Sequence, residues 1–499
     1  MKKIEVDMTH GPILKKIIIF AIPLICTNVL QILFNMADVL TLGLFVNDRA
    51  VAAVGANGAL INLITGLFVG LSAGANVVVA RCLGKGGEEK VRRAVGMSVL
   101  LSLCSGVALI FIGFFGARTF LTWMNCDLAV IDMAVRYLQI YSLGMPVVLL
   151  YNFCASILRA AGETRRPLIY LTIGGVLNVG LNIFFILVVG LDVEGVAIAT
   201  IVSQAVSSAL CLILLVKNRG AVKLCKKYIR FYKEELAEVI KIGLPAGIQG
   251  CLFSISNVVI QSAVNSFGDI VMAGNSYAQQ FESIVYQAMN GIALAAMSFV
   301  GQNMGAHRYE RINRITYECF ILVIAVGAVL GGTFALLARP LVGLISSEPK
   351  TIEVAAGRMA IIASTYFLDG IMDVYAYSLR GMGKSTTAMV ITLLGTCVFR
   401  MIWVYSLLEV IDEVFIIYWA YPITWFITSI GQATFYHITL NKLKKSVAQP
   451  AAVAAIAGGA VPETVCGAED TAENITAEVS AAADAEPDNK PDDKTEKDR

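Results

Sequence analysis

Twelve apolar runs, most of them about 20 residues or longer, follow one another along this chain with only short polar loops between them. Their limits fall near 14–45, 51–80, 94–116, 130–158, 167–190, 194–216, 236–266, 272–300, 315–337, 352–379, 388–408 and 414–438. Runs of this length saturate a bilayer's hydrocarbon thickness. In lipid every backbone N–H and C=O must be satisfied within the span, which leaves helices or a closed barrel. The runs lack period-2 alternation, so a barrel is excluded and an all-α integral membrane fold is expected. Composition agrees: 57% of the residues are hydrophobic and 15% charged. The basic N-terminus precedes the first run without a small-residue cleavage site, so that run reads as an uncleaved helix. A net charge of +2 gives no reason to expect a nucleic-acid partner.

The loops alternate in charge. Arg81 to Arg93, Arg159 to Arg166, Lys217 to Lys233, Arg308 to Arg314, Arg380 with Lys384, and Lys442 to Lys445 are basic. The intervening loops carry Asp48, Asp127, Asp192, Glu194, Asp269, Glu348, Glu409, Asp412 and Glu413. The basic side is expected to be cytoplasmic, with both termini on it and an even number of spans. The chain also repeats at an offset of about 221 residues: Gly70 matches Gly291, Gly84 Gly305, Glu89 Glu310, Arg93 Arg314, Arg159 Arg380, Gly162 Gly383 and Ala199 Ala420. Pro23 matches Pro245 after a one-residue shift. Each half holds six spans, so the halves share one orientation and are related by a pseudo-two-fold axis along the membrane normal. The expected organisation is an N-terminus (1–13), an N-lobe (14–216), a basic linker (217–235), a C-lobe (236–440) and a tail (446–499). The tail is rich in Ala, Glu, Asp and Pro without aromatics and is expected to be disordered. Its Asn474 sequon is read as accidental.

Ionisable residues inside spans are expensive and therefore point to function. Asp38 is the only charge from Ile17 to Phe45, and Asn28, Gln31 and Asn35 precede it on one helix face. Asn178 and Asn182, four apart, and Thr200 carry oxygens that suit a hard monovalent cation, with Asp38 supplying the charge; interhelical hydrogen bonding explains them equally well. Asp369 and Asp373 are also four apart; two such carboxylates favour proton uptake, unless one pairs with Arg400. Glu282 is a third intramembrane acid, among Gln279, Gln280 and Gln287. Tyr366, Tyr375 and Tyr377 are candidate cavity aromatics able to stack on a cation. Gly66, Gly70 and Gly74 have the spacing of close helix packing. GMGKST at 381–386 lacks the first glycine of a phosphate loop and follows no strand. With three histidines and no CxxC pair, no zinc or disulfide framework is expected.

Taken together, IPLICTNVLQILFNMADV (22–39), VARCLGKG (79–86), FVGQNMGAHRYERI (299–312), RAAGETRRP (159–167) and LRGMGKS (379–385) resemble the multidrug and toxic-compound extrusion (MATE) transporter family, in order and in repeat spacing. The resemblance implies an antiporter that exports amphipathic, often cationic organic compounds against Na+ or H+ by alternating access. It implies no cofactor beyond that ion, no catalytic residues, and a plasma-membrane protein acting as a monomer on small organic substrates. Asp38 matches the family's first-helix acid, and Asn178 and Thr200 its N-lobe cation ligands. Asn182 stands where many relatives have Asp. Asp369 matches a C-lobe acid of some branches, whose seventh-span Glu is absent here. Two alternatives are a lipid-linked saccharide flippase, which needs a cationic cavity, and an integral-membrane enzyme, which needs clustered catalytic groups.

Overall fold

The computed structural model describes residues 6–124, 126–411 and 413–456, and every regular element among them is helical. We number the spans α1 to α12. The first six are α1 (Ile13–Phe45), α2 (Asp48–Lys85), α3 (Glu88–Trp123), α4 (Ile131–Leu143 with Met145–Ala160), α5 (Arg165–Val189) and α6 (Val193–Lys217). The second six are α7 (Lys233–Asn265), α8 (Asp269–Gly305), α9 (Tyr309–Leu336), α10 (Pro349–Thr365 with Phe367–Gly381), α11 (Ser385–Leu408) and α12 (Val414–Ile456). A short helix, Ala338–Gly343, follows α9. From Lys445 onward the chain forms a separate unit, helical as far as Ile456. The helix thus runs past the expected start of the tail, and the rest of the tail, Asn474 included, lies outside the described residues.

The repeat extends to defects in the helices. α4 bends by 51° beside Gly144 and α10 by 43° beside Tyr366, at equivalent positions in the two halves. The causes are shared in part: the Ser142 hydroxyl bonds back to the Leu138 carbonyl two residues before the break, the place Ser364 holds in α10. In α4, Pro146 also removes an N–H and crowds the preceding turn. In α10, the Ser364 and Thr365 hydroxyls bond back to the carbonyls of Ala360 and Ile361, which loosens the helical ladder. Gly162 and Gly383 close the equivalent spans with φ of +86° and +72°. α1, by contrast, runs through Pro23 as one helix.

Within residues 1–444 the lobes meet only over the half of the spans nearer the basic loops. A Cβ on Gly70 would strike Gly247 of α7, and one on Gly74 would strike Gly243. The two-fold mate of the first contact is Gly291 of α8 against Ile25 of α1. Near the helix ends, Gly84 packs on Gln302 and Gly305 packs on Arg81, again one contact used twice. Further out, Cys251 Sγ of α7 still donates to the Leu63 carbonyl at 3.4 Å, but Gly55, Gly58, Gly66 and Gly250 have nothing within 4 Å of a Cβ position. Gly66 is therefore not a packing glycine as its spacing suggests, because it faces open space while Leu63 and Leu67 carry the contact with α7. The result is a cleft closed at the basic end and open at the other.

Candidate transport site

Asp38 leaves the cleft face of α1 and turns into the N-lobe. Asn28, on the same face, donates to the Gln287 carbonyl of the other lobe at 3.1 Å, which fixes that face toward the cleft. Gln31 and Asn35, one and two turns on, are exposed there. Asp38 itself is buried, and Asn182 Nδ2 donates to its Oδ1 at 2.6 Å. Asn178, one turn from Asn182 on α5, donates through Nδ2 to Thr200 Oγ1 of α6 at 3.3 Å. The Thr200 hydroxyl donates to the Val196 carbonyl at 2.9 Å, so its oxygen remains an acceptor. This leaves the Oδ1 atoms of Asn178 and Asn182 buried without a partner, beside a carboxylate. An unmet buried acceptor costs about 1–3 kcal/mol. A bound cation satisfies such oxygens; those of Asn57, Asn303 and Gln432 are also buried without a partner, so the carboxylate beside this pair is what singles it out. Tyr137 and Tyr141 of α4, stacked at 6.0 Å, lie beside Asp38 and did not stand out in the sequence.

The C-lobe holds two different arrangements of acids. Glu282 of α8 is in a buried bidentate ion pair with Arg358 of α10: Nε donates to Oε1 at 3.0 Å and Nη2 to Oε2 at 2.7 Å. Arg358 Nη1 donates to Asn275 Oδ1 at 2.7 Å, and Asn275 Nδ2 to Gln261 Oε1 at 2.9 Å. The guanidinium also lies 5.5 Å from the Tyr418 ring centre and 5.4 Å from that of Tyr421. Glu282 is thus neutralised in place, which sets it apart from the unpaired acids. Arg358 lies in the tenth run and went unremarked in the sequence, where Arg400 alone stood out as an intramembrane cation.

Asp369 and Asp373 lie on one face of α10, with no ion-pair partner among the described residues. Arg400 of α11 is near Asp369 but donates to Thr424 Oγ1 at 3.2 and 2.9 Å and lies 4.2 Å from the Tyr421 ring centre. The alternative reading, an Asp–Arg400 ion pair, is therefore not formed. Tyr286 of α8, Tyr366 and Tyr377 surround the two aspartates, and Tyr286 went unnoticed in the sequence. Tyr377 continues the same face and accepts from Asn290 Nδ2 at 3.0 Å. Tyr366 stacks near Trp425 at 5.0 Å. Tyr375 points elsewhere, into Phe320 at 4.5 Å and Tyr436 at 5.4 Å, because it is two residues from Asp373 and so on the opposite side of the helix. It belongs to the core of the lobe rather than to the cleft. Among the described residues no three His, Cys, Asp or Glu side chains cluster as a metal site.

Comparison with known proteins follows the repeat. The MatE family model matches twice, over residues 23–184 and 245–406, once per lobe. The chain is 27% identical to the probable multidrug resistance protein YpnP of Bacillus subtilis, over 79% of this chain and 88% of that protein. It is 26% identical to the probable multidrug resistance protein NorM of Thermotoga maritima, over 76% and 82% of the two chains. A solved structure, the outward-facing conformation of a multidrug resistance MATE family transporter, aligns with a TM-score of 0.82 at 21% identity. That alignment covers 89% of this chain and all of the other.

Proposed function

The chain belongs to the MatE family of multidrug efflux transporters, and is a transporter rather than an enzyme; from that premise we propose a Na+-coupled antiporter that exports amphipathic organic cations. The reading rests on one observation above the others: two buried amide oxygens, of Asn178 and Asn182, stand unpartnered beside Asp38 at the wall of the cleft. Carboxylate, amide and hydroxyl oxygens form a hard donor set that suits Na+. Binding rotates the Asn182 amide so that its oxygen, not its nitrogen, faces the ion. The basic face is cytoplasmic in this reading, with the chain in the cell membrane, so the present state opens outward. Ion entering from outside neutralises Asp38 and lowers the cleft's affinity for a cationic substrate, which leaves. The lobes then rock about the Gly70–Gly247 and Gly291–Ile25 contacts, and substrate enters from the cytoplasm as the ion departs. Gln31, Asn35 and Tyr366 supply polar and aromatic contacts for an organic cation.

The test is efflux of a fluorescent organic cation from proteoliposomes under a Na+ gradient or a pH gradient, applied separately. Na+ alone should drive it, and Asp38→Asn should remove the driven component by about 5–150-fold. Efflux driven only by protons and lost in Asp369→Asn would move coupling to the unpaired C-lobe acids. Gradient-independent movement of a lipid-linked saccharide would replace the reading with a flippase.

A further inference from the structure

Residues Val6 to Gly11, ahead of α1, cross the closed end of the cleft from one lobe to the other. On the N-lobe side, the Val6 N–H donates to the Gly162 carbonyl at 3.1 Å. Gly162 has φ +86°, and a Cβ there would strike the Val6 backbone. On the C-lobe side, Asn303 Nδ2 donates to the Met8 carbonyl at 3.0 Å and Arg308 Nη1 to that of Thr9 at 2.7 Å. Arg311 Nη2 donates to the carbonyls of His10 at 3.0 Å and Gly11 at 2.8 Å. The Met8 side chain is fully buried in an apolar cluster with Phe299, Val300 and Ile312. The segment is also held in shape from within. Lys16 Nζ donates to the carbonyls of Asp7 and His10 at 2.6 Å each. Partial burial pushes the Asp7 carboxyl up, but the Thr9 N–H and hydroxyl, the Lys16 charge and the His10 N–H outweigh it and hold the group at about 2.

The two sets of anchors belong to different lobes. Gly162 lies in the turn after α4, whereas Asn303, Arg308 and Arg311 lie at the α8–α9 corner, beside the Gly84–Gln302 and Gly305–Arg81 contacts that shut this end. The two anchor points move apart when the basic mouth opens, so the strap cannot keep both. We propose that residues 6–11 are a latch that holds the basic mouth shut in the outward-open state and must release one lobe before substrate can enter. The proposal uses the rocking motion of the functional reading but neither its ion nor its substrate.

Hydrogen–deuterium exchange on the full-length protein in lipid nanodiscs tests it, with two variants that free opposite ends of the strap. Arg308→Gln with Arg311→Gln removes side chains that reach over to the segment, and Val6→Pro removes the single N–H given to Gly162. Both should raise exchange at the mouth, over 82–87 and 303–309, by about tenfold while leaving 88–123 protected. Unchanged exchange at the mouth in both variants overturns the latch. No ion or substrate is present, so a failure of Na+-driven efflux leaves this result standing, and intact efflux with a silent mouth removes the latch alone.

Discussion

At the scale of residues, the four acids singled out in the spans have three different fates. Asp38 is met by amides, Glu282 by a guanidinium, and Asp369 and Asp373 by tyrosines and by each other's neighbourhood. The energetic consequences differ accordingly. Removing one partner of a buried pair strands the other charge and costs about 3–5 kcal/mol, whereas replacing both with apolar groups is often neutral. Arg358→Met alone should therefore lower the thermal midpoint in detergent sharply, and Glu282→Leu with Arg358→Met should recover most of it. If the double variant is no better than the single one, Glu282 has a role beyond its pair. Asp38→Asn is expected to behave in the opposite way: the cluster already holds two amides, so the protein should unfold at or above the wild-type temperature while losing driven efflux.

At the scale of elements, the helices owe their positions to a few small residues. Gly70 and Gly247 bring α2 and α7 together so closely that backbone meets backbone, and nothing there can yield to an added methyl. Gly70→Ala should destabilise the closed end by about 1–3 kcal/mol, the range for overpacking. Gly66→Ala, one turn away in open space, should instead stabilise α2 by up to about 1 kcal/mol through helix propensity. Thermal midpoints of the two variants, measured side by side, separate the glycine that carries the contact from the one that faces open space. Equal effects would contradict that assignment. The paired bends in α4 and α10 share a back-bonding serine, Ser142 and Ser364, and differ in what is added to it, Pro146 in one half and the Thr365 hydroxyl in the other.

At the scale of the lobed body, the open and closed ends of the cleft make a labelling prediction. A cysteine at Gly66 should react with a membrane-impermeant thiol reagent from the open end, and one at Ala80, fully buried near Gly301, should react from neither end until the basic mouth opens. Rapid reaction at Ala80 in the resting protein would contradict closure of the cleft at the basic end. Much of this body was written in the chain. Apolar run length set the spans, loop charge set their alternation, and the offset of about 221 residues set the two lobes, because each is a one-dimensional pattern imposed by a slab-like solvent. Asp38, Asn178, Asn182 and Thr200 were also legible as a group, and the fold brings them together. The pairing of acids was not legible. Whether Glu282 meets Arg358, whether Arg400 meets Asp369 or Thr424, and which way Tyr375 faces depend on how far helices distant in sequence are rotated about their own axes. The strap from Val6 to Gly11 was equally hidden, since its anchors are backbone carbonyls that every residue carries alike. A sequence specifies which groups must be satisfied, but only tertiary packing decides which neighbour satisfies them and which are left open for a ligand.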